Sequence, residues 1–153
     1  MKTSRRSGQR GFTLVETMIG VTIIGLLASL GVPALSKARL NTIATSLAND
    51  YRIYSGAFEM YATEHGHWPE DVNRGVVPDG MEGLLPKFTE PSYMDGRWDW
   101  DYRSTKVVAG VTLRGGNLDD TIFARIDEIL DDGDLSTGRF ISTSSGATYV
   151  LEF

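Results

Sequence analysis

The chain has 153 residues, of which 41% are hydrophobic and 23% are charged. That length suits one modest domain, and that composition is too apolar for a disordered protein. The chain contains no cysteine, which excludes disulfide bonds, thiolate metal sites and a cysteine nucleophile. Four of its 15 basic residues lie within the first eleven positions, which hold no acid, so the remainder carries 11 basic and 20 acidic residues. This acidic body argues against a general affinity for nucleic acid.

An apolar segment follows the basic tip. Between Phe12 and Ser36 the only charged side chain is that of Glu16. The twenty residues 17–36 carry no charge, and as a helix they would span ~30 Å, about the hydrocarbon thickness of a bilayer. The positive-inside rule keeps the basic tip in the cytoplasm and sends the rest of the chain outward. No convincing small-x-small cleavage site follows the segment, so hydropathy alone predicts a plain signal anchor.

Glu16 does not fit a plain anchor. A carboxylate near the membrane end of an apolar helix costs on the order of 2 to 3 kcal/mol and therefore needs a partner. If the chain began at Phe12, the terminal amine would lie four residues away on the same helix face. The amine of another copy would serve equally well, and the carboxylate would then act as an assembly signal.

The N-terminal residues resemble the motif of type IV prepilins and of type II secretion pseudopilins. The resemblance covers residues 10–35 and rests on GFTLVE at 11–16, IIGLLA at 23–28 and Pro33. It combines a basic leader that ends in Gly11, a phenylalanine at the cut and a glutamate as the fifth residue of the mature chain. An apolar helix with a proline near its middle completes the motif.

The resemblance implies that a prepilin peptidase cleaves between Gly11 and Phe12 and that the new N-terminus at Phe12 is N-methylated. An inner-membrane assembly platform would then extract the subunit into a helical filament built from this and other pilin-like subunits. In that filament Glu16 would pair with the terminal amine of a neighbouring subunit. Pro33 removes a helix hydrogen bond and favours a kink that the family is thought to use during packing, a kink without a function being the alternative.

After Ser36 an apolar stripe with helical spacing continues to Tyr61. Gly66 and Pro69 should end the helix, which predicts one helix over about 12–65. The stripe fits packing on the chain's own sheet better than a short coiled-coil seam. Residues 66–96 are rich in Gly, Pro and Asp and predict a long irregular connection, which resembles the variable loop between helix and sheet in pilins.

The rest of the chain predicts a small sheet and one further helix. Alternation predicts a strand at 98–102, and a second strand is expected at 107–113. Helical spacing follows at 118–130, with Asn117 as a possible cap and Gly133 as a stop. Strands at 139–143 and 147–153 flank Ser144-Ser145-Gly146, which is typical of a hairpin.

The predicted fold class is therefore α+β and pilin-like, with a long N-terminal helix packed on a small antiparallel sheet. We expect four parts. They are a basic leader peptide at 1–11, a transmembrane and filament-core helix at 12–36, the amphipathic second half of the helix at 37–66 and a soluble domain with the sheet at 67–153.

Two groups of residues have the chemistry of metal ligands. His65 and His67 lie among acids, but their spacing matches no established zinc site, so a solvated helix end is the favoured interpretation. Four aspartates offer oxygen ligands for calcium, and the resemblance adds that some major pseudopilins carry a calcium site in a C-terminal loop. The four do not fit the EF-hand pattern, so a plain acidic turn is favoured and no cofactor is expected: Asp127, Asp131, Asp132 and Asp134.

No enzyme motif appears, so the chain is predicted to be a structural protein rather than an enzyme. A type II secretion pseudopilin is favoured over a type IV pilin for adhesion, motility or DNA uptake. A signal-anchored binding protein is the remaining alternative. Exposed side chains of Trp98 and Trp100 would support a receptor or adhesin at a filament tip, whereas the strand alternation predicts that both pack in the core.

Overall fold

The computed structural model describes residues 12–104, 107–116 and 120–153. Contacts divide the chain into two units, one ending at Arg39 and the other spanning Leu40–Phe153. The elements in chain order are α1 (Leu14–His65), a 3₁₀ turn (Tyr93–Asp95), β1 (Arg97–Tyr102), β2 (Ala109–Arg114), α2 (Asp120–Leu130), β3 (Phe140–Thr143) and β4 (Gly146–Glu152). The predicted α+β class, a long N-terminal helix with a small antiparallel sheet, is confirmed.

Helix α1 is continuous through Pro33 and ends where the sequence predicts. Gly66 has a φ of +76°, the left-handed conformation that glycine adopts without steric cost. Its N–H donates to the carbonyl of Ala62 at 2.9 Å, which closes the last turn.

The second half of α1 packs on the sheet of the second unit. Its buried stripe recurs at helical spacing: Ala44, Leu47, Ala48, Tyr51, Tyr54, Ser55 and Phe58. The four strands are antiparallel in the order β1-β2-β4-β3, with Trp98 opposite Leu113 and Trp100 opposite Val111. The side chains of Trp98 and Trp100 are 2% and 0% exposed, so the prediction of core packing is confirmed and neither indole is a surface receptor.

The opposite face of β1 carries aspartates that are partly or fully withdrawn from water. Asp101 is buried, with 9% exposure, and Asp99 is half-buried. Arg114 from β2 lies between them and pairs with both carboxylates, 2.5 Å from Asp99 Oδ2. The alternation identified the correct face, but cross-strand pairing, which no strand pattern shows, withdraws these charges from water.

The connection between α1 and β1 contains no strand and no α-helix, as predicted, yet it is structured. Met81, Leu85 and Phe88 are buried in the core. Gly75 N–H donates to the carbonyl of Trp98 at 2.8 Å, and Asp71 accepts from the N–H of Tyr102 at 3.1 Å. The connection therefore covers the free edge of β1, which would otherwise expose unpaired backbone groups.

The predicted hairpin is present, but Gly146 has a different role from the one expected. Ser144 and Ser145 form the turn, because Thr143 already pairs with Gly146. A Cβ atom on Gly146 would lie 1.9 Å from the carbonyl oxygen of Leu113, so glycine is needed for close approach of β4 to β2. Strand β2 begins two residues later than predicted, and the predicted cap Asn117 lies outside the described residues.

One hydroxyl group joins α1 to the two central strands. The Tyr51 hydroxyl donates to the carbonyl of Ala147 at 2.7 Å and accepts the N–H of Leu113 at 3.2 Å. The ring is fully buried and meets the rings of Trp98 and Phe140 edge-on, with centroids at 4.8 and 5.2 Å. Burial also raises the pKa of this phenol, so the group stays a neutral donor.

We expect the substitution Tyr51→Phe to lower the free energy of unfolding by about 1 to 3 kcal/mol, because it leaves the Leu113 N–H and the Ala147 carbonyl buried without a partner. Urea unfolding of the detergent-solubilised full-length chain, followed by tryptophan fluorescence, measures the effect. Tyr61→Phe is the matched control, since no hydrogen bond of its hydroxyl is recorded among the described residues. Equal effects of the two substitutions would contradict the assigned role of Tyr51.

Candidate functional site

The start of α1 forms a reciprocal cap around Glu16. The N–H and Oγ1 of Thr13 donate to Glu16 Oε2 at 2.9 and 3.0 Å, and the N–H of Glu16 donates to Thr13 Oγ1 at 3.2 Å. This is a capping box, in which a Thr and a Glu three residues later satisfy each other's backbone N–H groups. Both bonds from Thr13 reach Oε2, and none is recorded for Oε1 among the described residues. One carboxylate oxygen is thus held within the helix while the other remains an acceptor.

The first turns of α1 expose an apolar surface. Large side chains such as Phe12, Leu14 and Leu30 are 86%, 75% and 70% exposed. Helix α1 is long and apolar enough to cross a membrane, and its most apolar window is 0% buried. A helix that is apolar on all sides needs lipid or other protein around it.

Polar side chains in this segment bond to their own helix. Thr17 Oγ1 donates to the Leu14 carbonyl at 2.8 Å, and Thr22 Oγ1 donates to the Met18 carbonyl at 2.7 Å. Because these hydroxyls already have partners, their cost in apolar surroundings is small. They do not weaken the case for a membrane segment.

The two histidines lie apart from the aspartates that could bind a metal. The His65 ring stacks on Tyr61 with centroids 4.1 Å apart, and its Nδ1 lies 3.0 Å from the Tyr61 carbonyl. His67 is exposed, and its ring centroid lies 6.3 Å from that of His65. Among the described residues, neither belongs to a group of three possible ligands.

Three of the four candidate aspartates do come together. One carboxylate oxygen from each of Asp127, Asp131 and Asp132 lies within 4.8 Å of the others. Asp131 directly follows α2, and its N–H donates to the carbonyl of Asp127 at 2.7 Å, which continues the last turn. Gly133, with a φ of +85°, turns the chain behind them. Asp134 is turned away, and its Oδ1 accepts the N–H of Ser136 at 3.0 Å.

Asp127 corrects the expectation of a plain, solvated acidic turn. Its side chain is 0% exposed, and neither carboxylate oxygen has a hydrogen-bond partner among the described residues. Burial raises its pKa to about 6, and the negative charges of Asp132 and Asp131 add to the shift. The nearby Gly133 N–H opposes the shift without reaching hydrogen-bond geometry.

The other two aspartates are held by the chain that follows α2. Asp131 Oδ2 accepts the N–H groups of Arg139 and Phe140, the latter at 3.3 Å. Asp132 Oδ2 accepts the hydroxyl of Thr137 at 2.9 Å. The cluster is therefore preorganised, with its one buried carboxylate left without a donor.

Comparison with known proteins identifies the N-terminal segment. The family model for the prokaryotic N-terminal methylation motif matches residues 6–32. The chain carries a prepilin-type methylation motif. Within this motif, Gly11 lies outside the described residues, while Phe12 and Glu16 are exposed; Pro33, also exposed, follows the last matched residue.

The relatives that share the prepilin-type motif include proteins of secretion and of pili. The chain is 32% identical over 87 residues to the type II secretion system core protein G of Klebsiella michiganensis, covering 57% of each chain. It is 35% identical over 83 residues to the protein of that name from Escherichia coli K12, covering 54% of this chain and 53% of the relative. It is 35% identical over 89 residues to the type IV major pilin protein PilE1 of Neisseria gonorrhoeae, covering 54% and 52%.

The chain thus spans little more than half the length of the curated relatives it matches. No solved structure matches it. The resemblance of the prepilin-type motif to prepilins and pseudopilins is confirmed, whereas cleavage, methylation and the roles of Glu16 and Pro33 stay predictions. Sequence reasoning missed the capping box, although Thr13 followed three residues later by Glu16 is its known signature.

The buried carboxylate of Asp127 should make stability depend on pH. Its pKa is 3.8 ordinarily and about 6 in the folded chain, so between these values the folded chain binds more protons than the unfolded one. The contribution of Asp127 to stability is therefore most favourable below about pH 4, falls as the pH rises from about 4 to 6 and is constant above that.

In EDTA at pH 8 we expect Asp127→Asn to raise the free energy of unfolding by on the order of 2 kcal/mol, and we expect the difference to vanish near pH 4. Urea unfolding of the full-length chain across this pH range measures it. Asp134→Asn is the control, because the hydrogen bonds from Ser136 lower the pKa of that exposed carboxyl. A difference between Asp127→Asn and wild type that does not grow between pH 4 and 7 would rule out the buried carboxylate as the cause.

Proposed function

We propose that this chain is a structural subunit of a pilus-like filament and that it is processed between Gly11 and Phe12. The observation that carries the proposal is the prepilin-type motif placed on the exposed apolar first part of α1, with Glu16 in its first turn. The chain would act by polymerising rather than by catalysis.

The precursor would sit in the inner membrane with its basic leader in the cytoplasm and its second unit outside. A prepilin peptidase would remove residues 1–11 and methylate the new amine of Phe12. In lipid, Glu16 keeps only its cap from Thr13, so its charge remains poorly compensated. The terminal ammonium of a neighbouring subunit at Oε1 would supply the missing partner, which favours the filament over the isolated membrane subunit.

A type II secretion pseudopilin is the form of this function that we favour. Several similar proteins carry the name type II secretion system core protein G. A type IV pilin is the second candidate, supported by the similarity to PilE1. In either case the partners would be copies of this chain, other pilin-like subunits and an inner-membrane assembly platform.

The processing step is tested by the intact mass of the chain recovered from membranes after co-expression with a prepilin peptidase. We expect the wild-type chain to begin at Phe12 and to carry one added methyl group. Gly11→Ala should leave the chain uncut, because a side chain at the last leader position hinders the peptidase. A wild-type chain of full length, or one cut behind the apolar segment, would leave a signal-anchored binding protein as the better hypothesis.

A divalent cation site at the aspartate cluster is a second function that one observation favours. Asp127 is buried and has no hydrogen-bond partner among the described residues, although the cluster around it is held in place. Carboxylate oxygens within 4.8 Å of one another fit calcium, which takes oxygen ligands at ~2.4 Å on all sides. Asp127, Asp131 and Asp132 would hold the ion, and its charge would replace the missing donors.

We expect calcium to raise the melting temperature of the full-length chain. At a calcium concentration a hundredfold above the dissociation constant, the free energy of unfolding should increase by ~2.7 kcal/mol. Asp127→Asn should abolish the gain, while Asp134→Asn, a change of the same kind outside the cluster, should preserve it. Calcium titration followed by circular dichroism measures both. The site would be refuted by an unchanged wild-type melting temperature or by equal losses in the two variants.

A further inference from the structure

A groove of about 440 Å³ lies beside α1 in the second unit. One wall is formed by α1, the other by residues 87–93, and the indole of Trp98 lies at the floor. Leu47 and Tyr54 complete an apolar floor, and both are almost fully buried. Tyr93 is 39% exposed, and it is one of the residues that line the groove. The groove is thus open to solvent, and the ring of Tyr93 is an exposed apolar surface beside an almost fully buried floor.

The walls of the groove are acidic. Asp50 is half-buried, and no hydrogen bond or ion pair of its carboxylate is recorded among the described residues. Glu90 adds a second acid and Lys87 a single base, which leaves one net negative charge. Burial raises the pKa of Asp50 and Lys87 opposes the shift, yet no ion pair joins the two within the part of the chain that the structure describes.

The chemistry of the groove selects its occupant. An apolar floor beneath an unpaired carboxylate suits a long side chain with an aliphatic stem and a positive head, which buries the stem and pairs the head. A lysine or an arginine has both parts, whereas an acidic or purely apolar group would leave Asp50 unpaired. The groove therefore fits a basic side chain.

The chain itself presents suitable basic groups. Lys37 and Arg39 are exposed on α1, are the first charges after the apolar segment, and have no recorded hydrogen bond or ion pair among the described residues. Both precede Asp50 in the sequence of α1. A second copy of the chain would offer the same two bases to the groove.

We propose that the Asp50 groove is an interface between copies of this chain and that it receives the side chain of Lys37 or Arg39 from a neighbour. This inference rests on the proposed polymerisation and names one of its contacts. Both proposed contacts have the same polarity, because a basic group nearer the N-terminus of one copy meets a carboxylate further along the chain of another: the amine of Phe12 meets Glu16, and Lys37 or Arg39 meets Asp50.

The first experiment uses the absence of cysteine from the natural chain. Two differently tagged full-length copies are co-expressed with a prepilin peptidase, one with Asp50→Cys and one with Lys37→Cys or Arg39→Cys, and are oxidised in the membrane. We expect a mixed disulfide between the tags. Glu64→Cys replaces Asp50→Cys in the control, because Glu64 is an exposed acid of the same helix outside the groove. A yield no higher than that of the control with either base would overturn the inference.

The second experiment measures polymer recovered from cells that contain the assembly machinery. Asp50→Lys should reduce the polymer by roughly tenfold, since it sets like charges against each other, and Lys37→Glu together with Arg39→Glu should restore it. Glu64→Lys is the matched control and should polymerise normally. Asp50→Asn conserves size and should give an intermediate yield of polymer. It distinguishes loss of the groove contact from misfolding of Asp50→Lys. Normal polymer from Asp50→Lys would refute the groove contact.

The two proposals fail in different ways. If wild type and Glu64→Lys are processed and polymerise, while Asp50→Lys does so equally well, the groove contact is wrong and the filament proposal stands. If the wild-type chain is neither cut at Phe12 nor polymerised, the filament proposal is wrong and takes the groove contact with it.

Discussion

The hydroxyl of Tyr51 fixes how α1 lies on the sheet. Hydrophobic contact alone allows a helix to rotate or slide over an apolar surface, because it has no direction. The two hydrogen bonds of Tyr51 have direction, and they reach β2 at Leu113 and β4 at Ala147. The rings of Trp98 and Phe140 pack against the ring of Tyr51. Asp50, one residue earlier, lines the groove rather than the core. The core and the groove thus depend on one buried polar group.

The sequence predicted the regular elements well, because each has a period. The stripe of α1, the alternation in β1 and the glycine after His65 are local patterns that local physics enforces. The connection over 66–96 has no period, so nothing in it revealed that Met81 and Phe88 enter the core. Gly146 was assigned to a turn for a similar reason. A side chain at this position would collide with the backbone of Leu113, which is distant in the sequence, so the local pattern does not reveal the requirement for glycine.

The candidate sites divide in the same way, into features that a local pattern predicts and features that depend on the tertiary fold. The capping box at Thr13 and Glu16 is a local pattern that could have been predicted from spacing alone. The four-residue spacing also indicates that Asp127 and Asp131 lie close together, but it does not indicate that Asp127 is buried. That burial depends on how α2 packs through Phe123 and Ile126, a tertiary property that an acidic run does not reveal. The run therefore predicted a solvated turn, and the fold produced a buried carboxylate.

The N-terminal segment and the second unit share one feature, since each has carboxylates in poorly polar surroundings. Glu16 begins an apolar helix, Asp50 borders an apolar groove and Asp127 is buried beside two other acids. A folded monomer gains nothing from placing charges where water cannot compensate them, since each costs stability until a cation arrives. If the cation comes from outside the chain, the isolated subunit has a higher free energy than the assembled or ion-bound subunit. For the proposed subunit, which would leave the membrane and join a polymer, that difference in free energy would be a driving force that greater monomer stability would remove.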